Sequence, residues 1–383
     1  MLWQILRKRR VIPVVLILAA FAYWKLHPSA PKTIEVGYVG DRAVTIWNTL
    51  AQVRQPVAEL HYGDRVEVVR VEGAAAQVRT ASGALGWLLD TRQMIDSDLW
   101  GKNSSLLVRA RAMPVQARGR TKATSNLRVE PGRKGKRIFQ LPRGTSVMVL
   151  ERTRADAPQS SDENSTTEKS ASADLQEPRQ EDWLLVLRDE DPASIGGNPI
   201  SAGNSPAPVT RASGNPVSGG PRGTQFGSAV EESPIPVAGW VLARFIELDL
   251  PAPLRDLASS ADLRVVAWFE LNRVPNGSGG EASQYLVAGS RGGEGQVCDF
   301  TMLRVYTWDA IRKRYETAYI ESDLCGRLPI RVTAAPAGPE FRFAEAGENA
   351  AERIYNMHQT AVRRVSDKSS SPSPSRPQIE KKR

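Results

Sequence analysis

Two cysteines, three histidines and one run of cations are the groups whose type and spacing could do chemistry in this 383-residue chain. Cys298 and Cys325 are not part of a CxxC pair, and His27, His61 and His358 lie far apart in the sequence. A zinc centre needs three or four converging His, Cys or carboxylate ligands, so neither a metal nor any other cofactor is expected. Asp299 follows Cys298, and a neighbouring carboxylate raises a thiol's pKa, which opposes a nucleophilic role. No G-x-S-x-G elbow, Walker A loop or H-E-x-x-H helix occurs. The glycine-rich "RGGEG" at 291–295 lies between two strand-like segments and reads as a turn. The carboxylate pair of a glycosidase meets only in the fold and leaves no spacing signature. The expectation is a protein without turnover.

The cations Arg128, Arg133, Lys134, Lys136 and Arg137 fall within ten residues. They could meet carboxylates of a peptide or anionic lipid head groups, or form a solvated loop. Lys and Arg outnumber Asp and Glu by 51 to 42, a net charge of +9 that favours acidic partners. Nucleic acid is not expected among them, because the basic run lacks interleaved aromatic rings for base stacking.

The elements that position these groups begin with "MLWQILRKRRVIPVVLILAAFAYWKL". Arg7-Lys8-Arg9-Arg10 precede an apolar run from Val11 to Trp24, closed by Lys25. The run is short for a spanning helix, but Trp and Lys are interfacial anchors and long cations snorkel. The expectation is an uncleaved single-pass anchor over residues 11–26, with residues 1–10 cytoplasmic and the bulk of the chain outside the cytoplasm. Ala20-Phe21-Ala22 offers the alternative of a cleaved signal. In an oxidising compartment Cys298 and Cys325 could pair, since the segment between them can form a hairpin. Two free buried thiols are the alternative.

Residues 33–95 read as short strands separated by turns, including "AVTIW" and the alternating "LHYGDRVEVVRV". Residues 96–106 read as a linker. The order of signals then recurs over 107–248. "SNLRVEPG" stands for "AVTIW", "LPRGTSVMVLER" for "LHYGDRVEVVRV", "EDWLLVLRD" for "AAAQVRT" and "AGWVLARFIEL" for "LGWLLDTRQMI". Two insertions interrupt this copy. Residues 153–181 are rich in Ser, Asp, Glu and Thr, and residues 189–236 in Gly, Ser, Pro and Asn. Neither has a hydrophobic period, so both are expected to be disordered loops. Residues 262–365 form a third β-rich unit, with a terminal helix expected over 348–365 from the spacing of Ala351, Ile354, Tyr355, His358 and Val362. Residues 366–383 read as a disordered tail.

Residues 125–150 with 183–187 and 238–246 resemble the bacterial SH3 domain family. The likeness rests on Asn126-Leu127-Arg128, Pro131-Gly132, Leu141-x-x-Gly144, Trp183 and Gly239-Trp240-Val241. Residues 33–95 match it more weakly, through Gly63 and Gly86-Trp87. The resemblance implies two small SH3-like barrels in a mainly β protein. It also implies noncatalytic recognition of a cell-wall peptide or an envelope protein. Arg128, Arg133, Lys134, Trp183 and Trp240 are the candidate ligand-binding residues. For Trp183 and Trp240 the competing reading is structural, since each supplies large buried area to a small core. The expected role is that of an envelope-anchored binding or scaffolding protein. The alternative is a set of targeting modules serving an enzymatic C-terminal domain.

Overall fold

The computed structural model describes residues 32–157, 179–189, 235–347 and 351–365. The expected anchor at 11–26, the central parts of both insertions and the tail lie outside the described residues. Among the described residues no helix is long and apolar enough to cross a membrane. The chain divides into two compact units, Met1–Ser97 and Asp98–Arg383.

The first unit holds β1 (Glu35–Val39), β2 (Ala43–Trp47), β3 (Pro56–His61), β4 (Arg65–Glu72), β5 (Ala75–Thr80), β6 (Leu85–Leu88) and β7 (Met94–Asp96). They form one sheet in the order β3-β2-β6-β5-β4-β1-β7. Alternation decides its inner side: Val44, Ile46, Val66, Val68, Val78 and Leu88 share one core. Gly63 makes the turn into β4 at φ 89°, a conformation that costs a residue without a Cβ little.

The second unit opens with helix α1 (Ser97–Arg111) and repeats the architecture. Its strands are β8 (Ala117–Thr121), β9 (Ser125–Arg128), β10 (Arg137–Leu141), β11 (Ser146–Asp156), β12 (Gln180–Arg188), β13 (Ala238–Leu242) and β14 (Ile246–Leu248). The sheet order, β10-β9-β13-β12-β11-β8-β14, is that of the first module strand for strand. The copies agree in detail. The ladder slips between Val68 and Arg70 in one, and between Val149 and Glu151 in the other. Gly63 N–H donates to Val39 C=O at 2.9 Å, and Gly144 N–H to Thr121 C=O at 2.8 Å. A one-turn 3-10 helix precedes the last strand in each, Thr91–Gln93 and Ala243–Phe245. Gly86 lies against Ile46 and Gly239 against Leu127, in each case where a Cβ would come within 2.9 Å of the neighbour. The repeat in the sequence is therefore a repeat of topology.

The barrels expected for these modules do not close. Hydrogen bonding ends at β3 and β7 in one sheet and at β10 and β14 in the other. β3 begins with Pro56, which has no N–H to donate, and β7 and β14 are three residues each, too short to extend the ladder. The expected linker at 96–106 is instead most of α1. Leu99, Asn103, Leu106 and Ala110 are its buried stripe, diluted in sequence by Gly101, Ser104 and Ser105. The serine hydroxyls donate back to the carbonyls of Trp100 and Gly101. β11 and β12 also reach further into the first insertion than its composition suggests, to Asp156 and from Gln180.

The rest of the second unit is a sandwich with one helix, α2 (Ala252–Ser260), on its outer side. One sheet joins β15 (Arg264–Pro275), β16 (Glu281–Ser290), β17 (Met302–Asp309) and β18 (Arg314–Glu321). The other joins β19 (Gly326–Thr333), β20 (Glu340–Glu345), β21 (Glu352–His358) and β22 (Ala361–Arg364). Phe269, Leu286, Phe300 and Val305 from the first sheet meet Ile330, Phe341, Phe343 and Tyr355 from the second in one core. Leu254 of α2 packs with Tyr285, Val287 and Tyr306 on the opposite side of the first sheet. Of the helix expected over 348–365, the described residues 351–365 form a hairpin of β21 and β22 instead, turning at Gln359 with φ 55°. Tyr355 and Met357 are buried with Asn356 exposed between them, so the period of two prevails once β20 is available as a partner.

Candidate functional site

The two modules diverge where β11 and β12 outrun β4 and β5. Just past the shared bulge, Val71 pairs with Ala76 in the first module and Arg152 with Leu184 in the second. Val71 is 54% exposed, whereas the Arg152 side chain is 2% exposed. Arg152 reaches the sandwich's loop between β16 and β17. Its Nη1 donates to Asp299 Oδ1 at 2.8 Å and to Cys298 C=O at 3.2 Å. Its Nη2 donates to Asp182 Oδ1 at 2.5 Å and to Gln296 C=O at 3.0 Å. Asp182 also accepts from Gly295 N–H at 2.9 Å and Arg264 Nη1 at 3.0 Å, and Asp299 accepts from Leu328 N–H at 2.8 Å. Burial by itself would push the Asp182 carboxyl up. The bond and charge of Arg152, the Gly295 amide and Arg264 outweigh it and hold the group below the usual carboxylate range.

Cys298 and Cys325 are joined in a disulfide beside this cluster, tying the loop that carries Asp299 to the start of β19. Gln116 is a second pin, fully buried just before β8. Its side chain donates to Ile330 C=O at 3.1 Å and accepts from Ile330 N–H at 2.7 Å. Its own carbonyl accepts from Trp268 N–H at 3.0 Å. Its counterpart is Ile34: the N–H of each donates to the equivalent carbonyl, Val149 or Val68. Ile34 is 66% exposed. The second module is thus a docking element that holds the sandwich through one buried charge cluster and one amide. Desolvation makes such a cluster a weak source of net stability, and its value here lies in fixing register between the two parts.

The residues expected to bind a ligand are not gathered into one open surface. Arg133 lies flat on Glu181, with Nε–Oε2 2.9 Å and Nη2–Oε1 2.8 Å. Arg244 shares the same carboxylate at 2.9 Å, and these bonds, that of Arg133 foremost, hold Glu181 below its ordinary pKa. Arg128 is half-buried and donates to Gly135 C=O, so it braces its own loop. Lys134 is exposed. Trp183 and Trp240 are 3% and 5% exposed, so neither offers a ring edge to a peptide. Among the described residues no group of three or more His, Cys, Asp or Glu could hold a metal ion. Sequence reasoning missed Arg152, Asp182 and Gln116. The signal available was a charge or amide at a position where the strand pattern asks for an apolar residue.

A second surface emerges on the outer side of each module. In the first, Arg70, Gln77, Trp87 and Trp47 stand side by side across β4, β5, β6 and β2. The Arg70 guanidinium lies 5.9 Å from the Trp87 ring and that of Arg54 lies 4.9 Å from Trp47. In the second, the same row reads Glu151, Leu185, Trp240 and Arg128. Helix α1 is anchored at both ends of that row, Lys102 to Glu130 at 3.2 Å beyond β9 and Arg109 to Glu151 at 3.3 Å on β11. Burial pushes the Glu151 carboxyl up, against the pull of Arg109. No protein-family model, curated protein or solved structure matches the chain.

Proposed function

We propose that this is a noncatalytic binding or scaffolding protein of a bacterial cell envelope. Residues 11–26 hold it in the membrane, and its two SH3-like modules face away from the cytoplasm. One observation carries the reading: the second module already serves as a docking element, gripping the sandwich with Arg152 and Gln116. The same framework, present a second time without that engagement, is then available for a partner, a cell-wall peptide or an envelope protein. The disulfide supports the compartment, because such bonds persist where the surroundings are oxidising.

The test is fractionation of cells expressing the full chain, followed by protease treatment of spheroplasts and thiol labelling. The expected result is a membrane-bound protein, digested from outside, with Cys298 and Cys325 protected from alkylation until reduced. A protein recovered in the soluble cytoplasmic fraction with two reactive thiols would overturn the proposal. Sedimentation with purified peptidoglycan, against chemical cross-linking to membrane proteins, then separates the two kinds of partner.

A further inference from the structure

We propose that the outer face of the first module docks an acidic amphipathic helix from a partner protein. The inference deepens the binding role proposed above and rests on it, but not on a wall ligand. It comes from the internal comparison. The second module covers its row Glu151–Leu185–Trp240–Arg128 with a basic helix, α1, whose Lys102 and Arg109 meet Glu130 and Glu151. The buried stripe of that helix is Leu99, Asn103, Leu106 and Ala110. The first module presents the same row with the charge at its β4 end reversed. Arg70 stands where Glu151 stands, and at the far end Trp47 takes the place of Arg128, with the Arg54 guanidinium over its ring.

The accessible apolar groups here are Trp47, half-buried, and Leu85, 40% exposed and on the same side of β6 as Trp87, which is itself 9% exposed beside Arg70. This is an apolar centre flanked by guanidiniums, with both side chains, Arg54 and Arg70, exposed. Arg70 also pairs with Glu72, but an ion pair at an exposed hairpin end is weak and yields to a better-placed carboxylate. A helix with an apolar stripe and carboxylates seven residues apart would repeat the spacing of Lys102 and Arg109 with the signs exchanged.

The probe is a labelled synthetic peptide of residues 97–111 carrying Lys102→Glu, Arg109→Glu and Arg111→Glu, added to the full chain in detergent and followed by fluorescence anisotropy. We expect it to bind at least tenfold more tightly than the unaltered peptide. An Arg54→Glu/Arg70→Glu chain should reverse that preference, and both sites are exposed, so the melting profile should be kept. Equal binding of the two peptides overturns the proposal. So does a preference that survives the double variant, or one kept by a peptide with Leu99→Gln and Leu106→Gln, which would mark simple attraction for polyanions. Displacement of the peptide by phosphatidylserine vesicles, or by self-association of the chain that the double variant abolishes, would assign the face to lipid or to a second copy and likewise overturn it. Membrane fractionation is unaffected by any of these outcomes, so failure here and failure of the envelope reading remain distinct.

Discussion

The first and second modules share strand order, bulge, turn and tryptophan, yet they treat equivalent positions in opposite ways. Where the first exposes Ile34 and Val71, the second buries Gln116 and Arg152 against a sandwich. Where the first displays Arg70, the second carries Glu151, paired with Arg109 of a basic helix. The fold and what packs on it within the second unit are therefore specified by separate residues. Core alternation and close-approach glycines build the sheet, while a few positions past the bulge and on the outer row decide what covers it.

The largest expected effect separates the two positions past the bulge. Arg152→Ala should destabilise the second unit by about 3–5 kcal/mol in denaturant unfolding, since it leaves Asp182 and Asp299 buried with a missing partner. Val71→Ala, at a 54% exposed site, should cost under about 1 kcal/mol. Equal costs would break the comparison. Cys298→Ser with Cys325→Ser opens a loop with a sequence separation of 27, which in the chain-entropy picture lowers stability by about 3–4 kcal/mol. The transition of the second unit should shift and that of the first should not.

The paired glycines sharpen the likeness. Gly239→Ala and Gly86→Ala should each cost about 1–3 kcal/mol by overpacking. Gly239 should be the worse site, because its new Cβ would also lie 3.1 Å from the Arg128 carbonyl, whereas the three atoms nearest a Cβ at Gly86 all belong to the Ile46 side chain. Acid gives the smallest effect. Asp182 and Glu181 have depressed pKa values, so their contribution is intact above the unfolded carboxylate range and is lost as pH falls below about 4. Glu67, the lowered carboxylate of the first module, is only part-buried and should add little, so a pH titration of both transitions should show the second unit weakening first.

The repeat was legible because each of its signals is local. Leu60-x-x-Gly63 and Leu141-x-x-Gly144 announce a turn and a strand within a dozen residues. The docking cluster was not, because Arg152 and Asp299 are 147 residues apart in sequence and acquire their relation only when the sandwich forms. Helix α1 was hidden by its glycine and serines, whose propensity is overridden by the surface it covers. The last hairpin was misread for a different reason. Ile354, Tyr355 and His358 fit a helical period as well as Tyr355 and Met357 fit a strand, and only the open edge of β20 selects between them.

The most direct test of the account is hydrogen exchange on the full chain, comparing the native protein with Arg152→Ala. If the second module and the sandwich are held as one body by that guanidinium, protection should fall together in β11, β12, β15 and β19 while β4 and β5 keep theirs. Loss confined to β11 and β12, with the sandwich as protected as before, would contradict it.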